Sequence, residues 1–170
     1  MLGFYYLFST MGNIIQTSGF EIQEGEAIRL LHAFPLTFDI SDTPSLLYRL
    51  DEDLRVGATV SYRLVAGFRI INWKGFISSV NGNSWTVDLK QGPFSMFHAE
   101  HSIQHANGLL ECSDEFSYNG ETVDMANVLE NARVFYAFDA RQKLFQAKDS
   151  FESRHETESF HAFNSGLSAG

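Results

Sequence analysis

Between Ala58 and Tyr118, apolar and polar residues alternate in successive runs, which is the pattern of strands that bury one face. Turn residues interrupt these runs about every dozen positions, as at Gly67, at "NGN" and at "HANG". The brief alternation of "LTFDIS" adds a strand before them, and the aromatic run from Gly3 to Ser9 adds another, whereas "TPSLLYRLDEDLRVG" is interpreted as a connection. The pattern predicts a meander of about five or six antiparallel strands that ends with "LLECSDEFSY".

Two segments have helical periodicity instead. The segment "GEAIRLLHAF", from Gly25 to Phe34, suits a short helix that Pro35 closes. After Gly120 the chain runs for about thirty residues without Gly or Pro, which predicts a long amphipathic helix. Residues 13–25 match neither pattern. The apolar residues near one face of the long helix are Val128, Ala132, Phe135, Phe138 and Phe145.

These elements predict an α+β domain of the helix-grip type, in which a curved antiparallel β-sheet wraps around a long C-terminal α-helix and leaves an internal cavity. The domain is expected to span residues 1–151. The segment 152–170 is polar, rich in Ser and ends in Gly, so we expect a disordered tail.

Composition narrows the range of partners. Of the 170 residues 16 are Phe, so a large aromatic interior is expected. A formal net charge of −9 disfavours nucleic acid and anionic membranes as partners.

The run "MLGFYYLFSTM" is too short for a membrane span and lacks the basic start of a signal peptide, so no stable membrane insertion is expected. The single cysteine, Cys112, is interpreted as a small core residue, and the default location is the cytoplasm.

Five segments, taken in order, resemble the ligand-binding branch of the SRPBCC superfamily. This helix-grip group includes START lipid-transfer domains, birch-pollen-allergen-like proteins and polyketide cyclases. The segments are "LRVGATVSYRL", "INWKGFISSV", "WTVDLKQGPFSMFHAEHSI", "DEFSY" and "RVFYAFDARQKLF", and together they cover residues 54–145. The resemblance implies a small-molecule ligand in an internal cavity.

The resemblance also points to departures from the family pattern. In that family the strand after Gly-Pro-Phe carries two histidines and a closing Phe, and the strand before it often carries Asp and Gln that face the cavity. Here the first set falls on Ala99, His101 and Ile103, and the second on Val87 and Leu89. The resemblance therefore implies a cavity more apolar than the family norm.

Strand parity separates the two histidines of "FHAEHSI". Alternate side chains share a face, so His101 groups with Phe97 and Ala99 on the apolar face, whereas His98 and Glu100 lie on the other. Two histidines on opposite faces of a regular strand cannot bind one metal ion together, and no metal site is expected.

Asp114 lies on the apolar face of "LLECSDEFSY", where a buried carboxylate needs a hydrogen-bond donor or a proton. His101, on the preceding strand, could be its cross-strand partner. One interpretation of this pair is a general acid/base dyad that acts on a carbonyl or enol. The other is a satisfied polar pair in a lined pocket, or an Asp that caps a helix or loop.

The residues expected to line the ligand cavity come from three strands and the long helix. Tyr118 is expected near the cavity mouth, at the end of its strand. The full set is Trp85, Val87, Leu89, Phe97, Ala99, His101, Asp114, Phe116, Tyr118, Phe135 and Phe138.

The favoured function is reversible binding of a hydrophobic small molecule, such as a lipid, isoprenoid, polyketide or aromatic compound, without a cofactor. The alternative is an enzyme of the cyclase, dehydratase or isomerase type that uses His101 and Asp114. A third possibility is an interaction module with a collapsed cavity. The sequence does not identify a protein partner.

Overall fold

The computed structural model describes residues 10–35, 43–120 and 123–139. Within these ranges the chain is mostly strand, with two short helices and helical backbone again at residues 137–139. In chain order the elements are β1 (Thr10–Phe20), α1 (Glu24–Leu30), β2 (Ser45–Leu50), β3 (Thr59–Ala66), β4 (Arg69–Asn81), β5 (Ser84–Gln91), β6 (Phe94–Ala106), β7 (Leu109–Gly120), α2 (Val123–Glu130) and β8 (Arg133–Val134).

The strands form one curved sheet of eight strands, in the order β1-β7-β6-β5-β4-β3-β2-β8. Strands β2 to β7 follow one another as an antiparallel meander, and β1 returns to pair with β7. Only the pairing of β2 with β8, among the described strands, is parallel. The predicted curved antiparallel sheet is therefore confirmed.

Register shifts help the long strands to bend. The pairing of β4 with β5 is interrupted between Ile77 and Ser79, and that of β6 with β7 between Phe94 and Met96. An unpaired residue of this kind bends its strand and increases the local twist.

The two edges of the sheet meet through one side chain. Gln16 on β1 accepts a hydrogen bond from the backbone N–H of Val134 on β8 (2.8 Å) and donates through Nε2 to the Val134 carbonyl (3.1 Å). An amide side chain offers a donor and an acceptor, as a backbone peptide does. Gln16 therefore joins β1 to β8 in place of a backbone ladder and nearly closes the sheet.

The inward face of this sheet carries an aromatic core, as the Phe content predicts. Strand alternation sends Tyr62, Trp73 and Trp85 inward, and each is at most 3% exposed. The ring of Tyr62 stacks on that of Trp73, with centroids 5.4 Å apart. The other buried rings of this cluster are Phe20, Tyr48, Phe94, Phe97, Phe116, Tyr118, Tyr136 and Phe138.

A smaller apolar cluster lies on the opposite face of β2 and β3. Leu47, Val65 and Phe135 are buried there, and Phe34 packs against them. Because Phe135 covers this outer face, β2 is buried on both sides.

Two strands lie where the sequence did not predict them. β2 occupies "SLLYRL", which was interpreted as a connection. Its inward residues are Leu46, Tyr48 and Leu50, but Leu47 is also buried, so the alternation is hidden. β1 covers residues 10–20, where inward positions such as Gly12 and Gln16 are small or polar. An apolar pattern could reveal neither strand.

The predicted long C-terminal helix is interrupted in the described residues, where the backbone is helical at 123–130 and 137–139 but not at 131–136. α2 ends at Glu130, and the next residues add to the edge of β2. The backbone N–H of Arg133 donates to the Pro44 carbonyl and that of Phe135 to Leu46, each at 2.8 Å. These bonds need an extended chain, so the helical prediction is wrong for residues 131–136. Residues 140–151, the expected tail at 152–170, "LTFDIS" and the run from Gly3 to Ser9 lie outside the described residues.

Helix α1 overlaps the segment predicted to be helical, begins one residue before it at Glu24, and buries Ala27. The chain after it is held at β2, because the backbone N–H of Leu50 donates to the Leu31 carbonyl at 2.8 Å. His32 Nδ1 lies 3.0 Å from the Leu50 carbonyl.

No helix within the described ranges is long and apolar enough to span a membrane.

Candidate functional site

One cross-strand row brings the predicted site together. Trp85 on β5 pairs with His101 on β6, His101 pairs with Asp114 on β7, and Asp114 pairs with Gln16 on β1. All four residues have inward parity on their strands, so the row crosses the interior of the sheet and ends at the closure with Val134.

The His101–Asp114 pair predicted from parity is confirmed. The imidazole Nδ1 lies 2.6 Å from Asp114 Oδ1, and the two residues are 2% and 1% exposed. Hydrogen bonds to an ionised group are short and strong, and a buried carboxylate needs them. The alternative in which Asp114 caps a helix or loop is therefore wrong.

Three tyrosines complete a buried polar cluster, which consists of Tyr48, Tyr62, His101, Asp114 and Tyr136. The Tyr48 hydroxyl donates to Asp114 Oδ1 at 3.2 Å, and the Tyr136 hydroxyl donates to Oδ2. The Tyr62 hydroxyl lies 3.0 Å from His101 Nε2. Asp114 thus has three donors, from β2, β6 and the segment after β8.

The protonation states of the cluster follow from its donors and acceptors. Burial raises the pKa of Asp114, and the hydrogen bond from His101 lowers it again in part. Burial, followed by the charge of Asp114, raises the pKa of Tyr48 and of Tyr62 well above the usual value, so both hydroxyls stay protonated. A neutral His101 that donates from Nδ1 to Asp114 can accept at Nε2 from Tyr62.

Aromatic rings surround the imidazole of His101 in this cluster. The indole of Trp85 stacks on the imidazole of His101, with ring centroids 5.2 Å apart. The ring centroid of Tyr48 lies 4.4 Å from that of the same imidazole. Phe116 meets the same imidazole edge-on at 5.5 Å. The imidazole and its carboxylate therefore lie in an aromatic, low-dielectric setting, where an unpaired polar group would be costly.

Most of the predicted lining residues do face this interior. Val87, Phe97, Ala99 and Phe116 are at most 2% exposed and belong to the main core cluster, and Leu89 packs against it while half-buried. Their inward orientation follows from strand parity, which the sequence already contains.

Three predicted lining residues have a different environment. Tyr118 is fully buried rather than at a rim, and burial with the charge of Glu130 raises its pKa to about 12. Phe135 lies in the outer cluster and does not line the interior. Phe138 is buried against Tyr136, with centroids 4.8 Å apart, on helical backbone at residues 137–139.

The three tyrosines of the cluster were not predicted to belong to the site. Tyr48 lay in the presumed connection and Tyr136 in the presumed helix, while Tyr62 shares strand parity with Val60 and Leu64. For Tyr136 the sequence contains a signal in the segment "RVFYAF". Val134, Tyr136 and Phe138 occupy alternate positions and belong to the main core cluster, whereas Phe135 does not.

Two indole N–H groups inside the core lack an acceptor. Nε1 of Trp73 and Nε1 of Trp85 are buried, and no residue in the described part of the chain accepts a hydrogen bond from either. An unpaired buried donor costs about 1–3 kcal/mol, so such groups are rare in native interiors.

The other predicted histidine lies on the outer face, as parity required. His98 Nδ1 is 2.7 Å from Asp88 Oδ1, and both side chains are more than a third exposed. Hydrogen bonding with Asp88 raises the pKa of His98, and the same bond lowers the pKa of Asp88. The described residues contain no group of three His, Cys, Asp or Glu side chains that could hold a metal ion.

Comparison with known proteins gave structural matches only. No protein-family model matches the chain, and no curated protein sequence is similar to it. The major latex-like protein 151 of Panax ginseng is 12% identical, with a TM-score of 0.46 over 85% of this chain and 97% of that one. A protein of Chromobacterium violaceum is 12% identical, with a TM-score of 0.48 over 71% of this chain and 88% of that one.

Norcoclaurine synthase from Thalictrum flavum is also similar, at 10% identity and a TM-score of 0.43, over 76% of this chain and 82% of that one. At such identities the similarity concerns the course of the chain, and the chemistry of this protein has to be read from its own side chains.

Proposed function

We propose that this protein reversibly binds a hydrophobic small molecule that carries a hydrogen-bond acceptor, such as a ketone or ester carbonyl, in the interior of the sheet. Ligand sites in proteins are mostly apolar, with a few convergent polar groups that fix orientation. The aromatic interior around the polar cluster has this composition. The observation that carries the proposal is the unpaired indole N–H of Trp85, next to His101.

The polar cluster supports binding in a second way. His101, Asp114 and the three tyrosine hydroxyls satisfy one another, so they remain fixed without a ligand. A buried ionic network contributes little to stability compared with apolar residues of the same volume. Its presence in the core is therefore better explained by a role in a site than by stability.

Entry of a ligand requires side chains to move, because the inward rings pack on one another. Centroids of neighbouring rings in the core lie between 4.4 and 6.4 Å apart. Side chains move between discrete rotamers, and a ligand that binds the open form shifts the population toward it. The buried thiol of Cys112, in a chain with one cysteine, supports the cytoplasm as the compartment.

The test uses a neutral fluorescent ketone, 6-propionyl-2-dimethylaminonaphthalene (PRODAN), whose emission moves to shorter wavelength in apolar surroundings. We expect saturable binding with a blue shift. Trp85→Phe removes the N–H and keeps a ring, and it should weaken binding about fivefold, the worth of one neutral hydrogen bond. Trp73→Phe is the matched control and should change affinity less. Absence of saturable binding would contradict the proposal and favour an interaction module.

An enzymatic function has one specific observation in its favour. Tyr62, His101 and Asp114 form a relay. Tyr62 Oη lies 3.0 Å from His101 Nε2, and His101 Nδ1 lies 2.6 Å from Asp114 Oδ1, so the carboxylate orients the imidazole. His101→Gln separates the two functions. A binding protein should keep its PRODAN affinity within a few-fold, whereas turnover of a cyclase, dehydratase or isomerase substrate should fall by about 10²–10⁴.

A further inference from the structure

A groove on the outer face of the sheet differs in charge from the rest of the molecule. It has a volume of about 780 Å³ and lies over β2, β3 and β4, between Phe34 and the β5–β6 turn at Pro93. Its lining includes Arg49, Arg63 and Lys74 and no Asp or Glu among the described residues. The whole chain has a formal net charge of −9, so three cations in one groove are a local reversal.

Strand pairing places these cations in adjacent rows. Arg49 pairs with Ser61, and Ser61 pairs with Lys74, so one row crosses three strands. Arg63 lies in the next row, opposite Asn72. All of these residues have outward parity, opposite to that of Tyr62 and the polar cluster.

Two of the cations are held in position by their neighbours. The guanidinium groups of Arg49 and Arg63 lie 4.8 and 4.5 Å from the centre of the Phe34 ring. Arg63 donates through Nε to Asn72 Oδ1 at 3.0 Å, which leaves its terminal nitrogens facing outward for an anion. Such fixed guanidinium groups need little reorganisation to bind an anion.

The charge of the groove is only partly neutralised. Asp51 receives hydrogen bonds from Arg49 Nε (3.0 Å) and from the Ser61 hydroxyl (2.7 Å). In the described part of the chain Lys74 has no hydrogen-bond or ion-pair partner. One carboxylate against three cations leaves a net positive site.

The walls of the groove are apolar. Phe34, Ile70 and Pro93 belong to its lining, and Ile70 has 59% of its surface exposed. A site that combines fixed cations with exposed apolar surface is complementary to a molecule with both an anionic group and a flat apolar body.

We propose that this groove binds a small organic anion, an aromatic carboxylate or sulfonate, with the anionic group at Arg63 and Lys74 and the ring system along Phe34 and Ile70. The cations of this site have outward parity, and the lining also includes Tyr62 and Trp73, whose parity is inward.

The test compares two probes with one ring skeleton. Anilinonaphthalene sulfonate carries the anion, and phenyl naphthylamine lacks it. The sulfonate should bind more tightly than the neutral probe, and Lys74→Gln and Arg63→Gln should each reduce that preference about fivefold to tenfold, as expected for a charge-assisted hydrogen bond. Raising the ionic strength should reduce it as well.

Two controls keep the result interpretable. Arg55→Gln makes the same change of charge at an exposed arginine paired with Glu52, outside the groove, and should leave the preference unchanged. Lys74 is exposed, so Lys74→Gln should fold even if Arg63→Gln does not, and melting curves will verify both.

The location of the probe is measured by amide chemical shifts of the labelled protein. Shifts on titration with the sulfonate should centre on Lys74 and Gly92 rather than on His101 and Asp114. An unchanged preference in Lys74→Gln, or shifts confined to the interior row, would overturn the proposal. So would displacement of the probe by an acidic peptide but not by free naphthoate, which would assign the groove to a protein partner.

Discussion

Asp114 accepts hydrogen bonds from three side chains that lie far apart in the sequence. The donors are Tyr48, His101 and Tyr136, and none of the four residues is more than 4% exposed. A buried carboxylate is tolerated only when its lone pairs are used in this way. Each donor depends on Asp114 in turn, because each would be left unpaired inside the core without it.

We therefore predict that Asp114→Ala lowers the free energy of unfolding by about 3–5 kcal/mol, the usual cost of removing one partner from a buried ionic network. Urea denaturation measures the change. Glu115→Gln alters the next carboxylate on the same strand, which faces outward, and should cost less than about 0.5 kcal/mol. Equal effects of the two substitutions would show that the network does not hold the core together.

The outer pair of His98 and Asp88 should behave differently, because solvent screens it. The raised pKa of His98 means that its contribution to stability is present at low pH and is lost as the pH rises through the folded value. The lowered pKa of Asp88 means that its contribution is lost as the pH falls through the folded value. The pair is thus most stabilising between these two values, and worth no more than about 1 kcal/mol.

Asp88→Asn should move the pKa of His98 back down toward its ordinary value. A proton NMR titration of the imidazole measures this directly. Asp53→Asn, on an exposed loop, is the control and should leave the His98 titration unchanged. A His98 pKa that stays raised without Asp88 would assign the shift to Glu100, whose Oε1 lies 3.6 Å from His98 Nε2.

At the scale of elements, the two-residue strand β8 has an importance out of proportion to its length. It pairs with β2 on one side and meets β1 through Gln16 on the other. It also directs Tyr136 toward Asp114. The sheet edge and the polar cluster are therefore organised by the same short segment.

Gln16→Ala should lower the free energy of unfolding by about 2 kcal/mol, because it leaves the N–H and the carbonyl of Val134 without partners. Amide exchange at Val134 should accelerate by a larger factor than exchange in β6. Gln104→Ala, at an exposed position of β6, should change neither quantity. Unaltered exchange at Val134 would mean that the edges are held by other contacts.

The comparison of sequence and structure is most instructive for these elements. Strands β4 to β7 each bury mainly one face, so alternation located them and assigned His101, Asp114 and Trp85 to the interior. β2 is buried on both faces and β1 carries Gly12 and Gln16 inward, and such strands have no alternation to detect.

The helical prediction after Gly120 failed at residues 131–136 for a related reason. Residues 133–136 fit a helical face and an extended strand equally well, since three of the four are apolar. Only the free edge of β2, with the carbonyls of Pro44 and Leu46, decides in favour of the strand. A tertiary partner of this kind is not visible in a local sequence window.

At the scale of the whole molecule, charge is distributed unevenly between the inside, the outside and one groove. Within the described ranges the interior holds one carboxylate, Asp114, the chain is acidic overall, and the groove over β2–β4 is cationic. A small anion approaching the protein is repelled by most of the surface and attracted at this place, which favours selective over general binding.

The closure through Gln16 also has a consequence for synthesis of the chain. Gln16 and Val134 are 118 positions apart, and β1 pairs with β7 across a similar separation. A ribosome that adds roughly 5–20 residues per second leaves β1 waiting about 5–20 seconds for its partner. During that interval β1 has no strand partner from its own chain, so it can pair with other nascent chains.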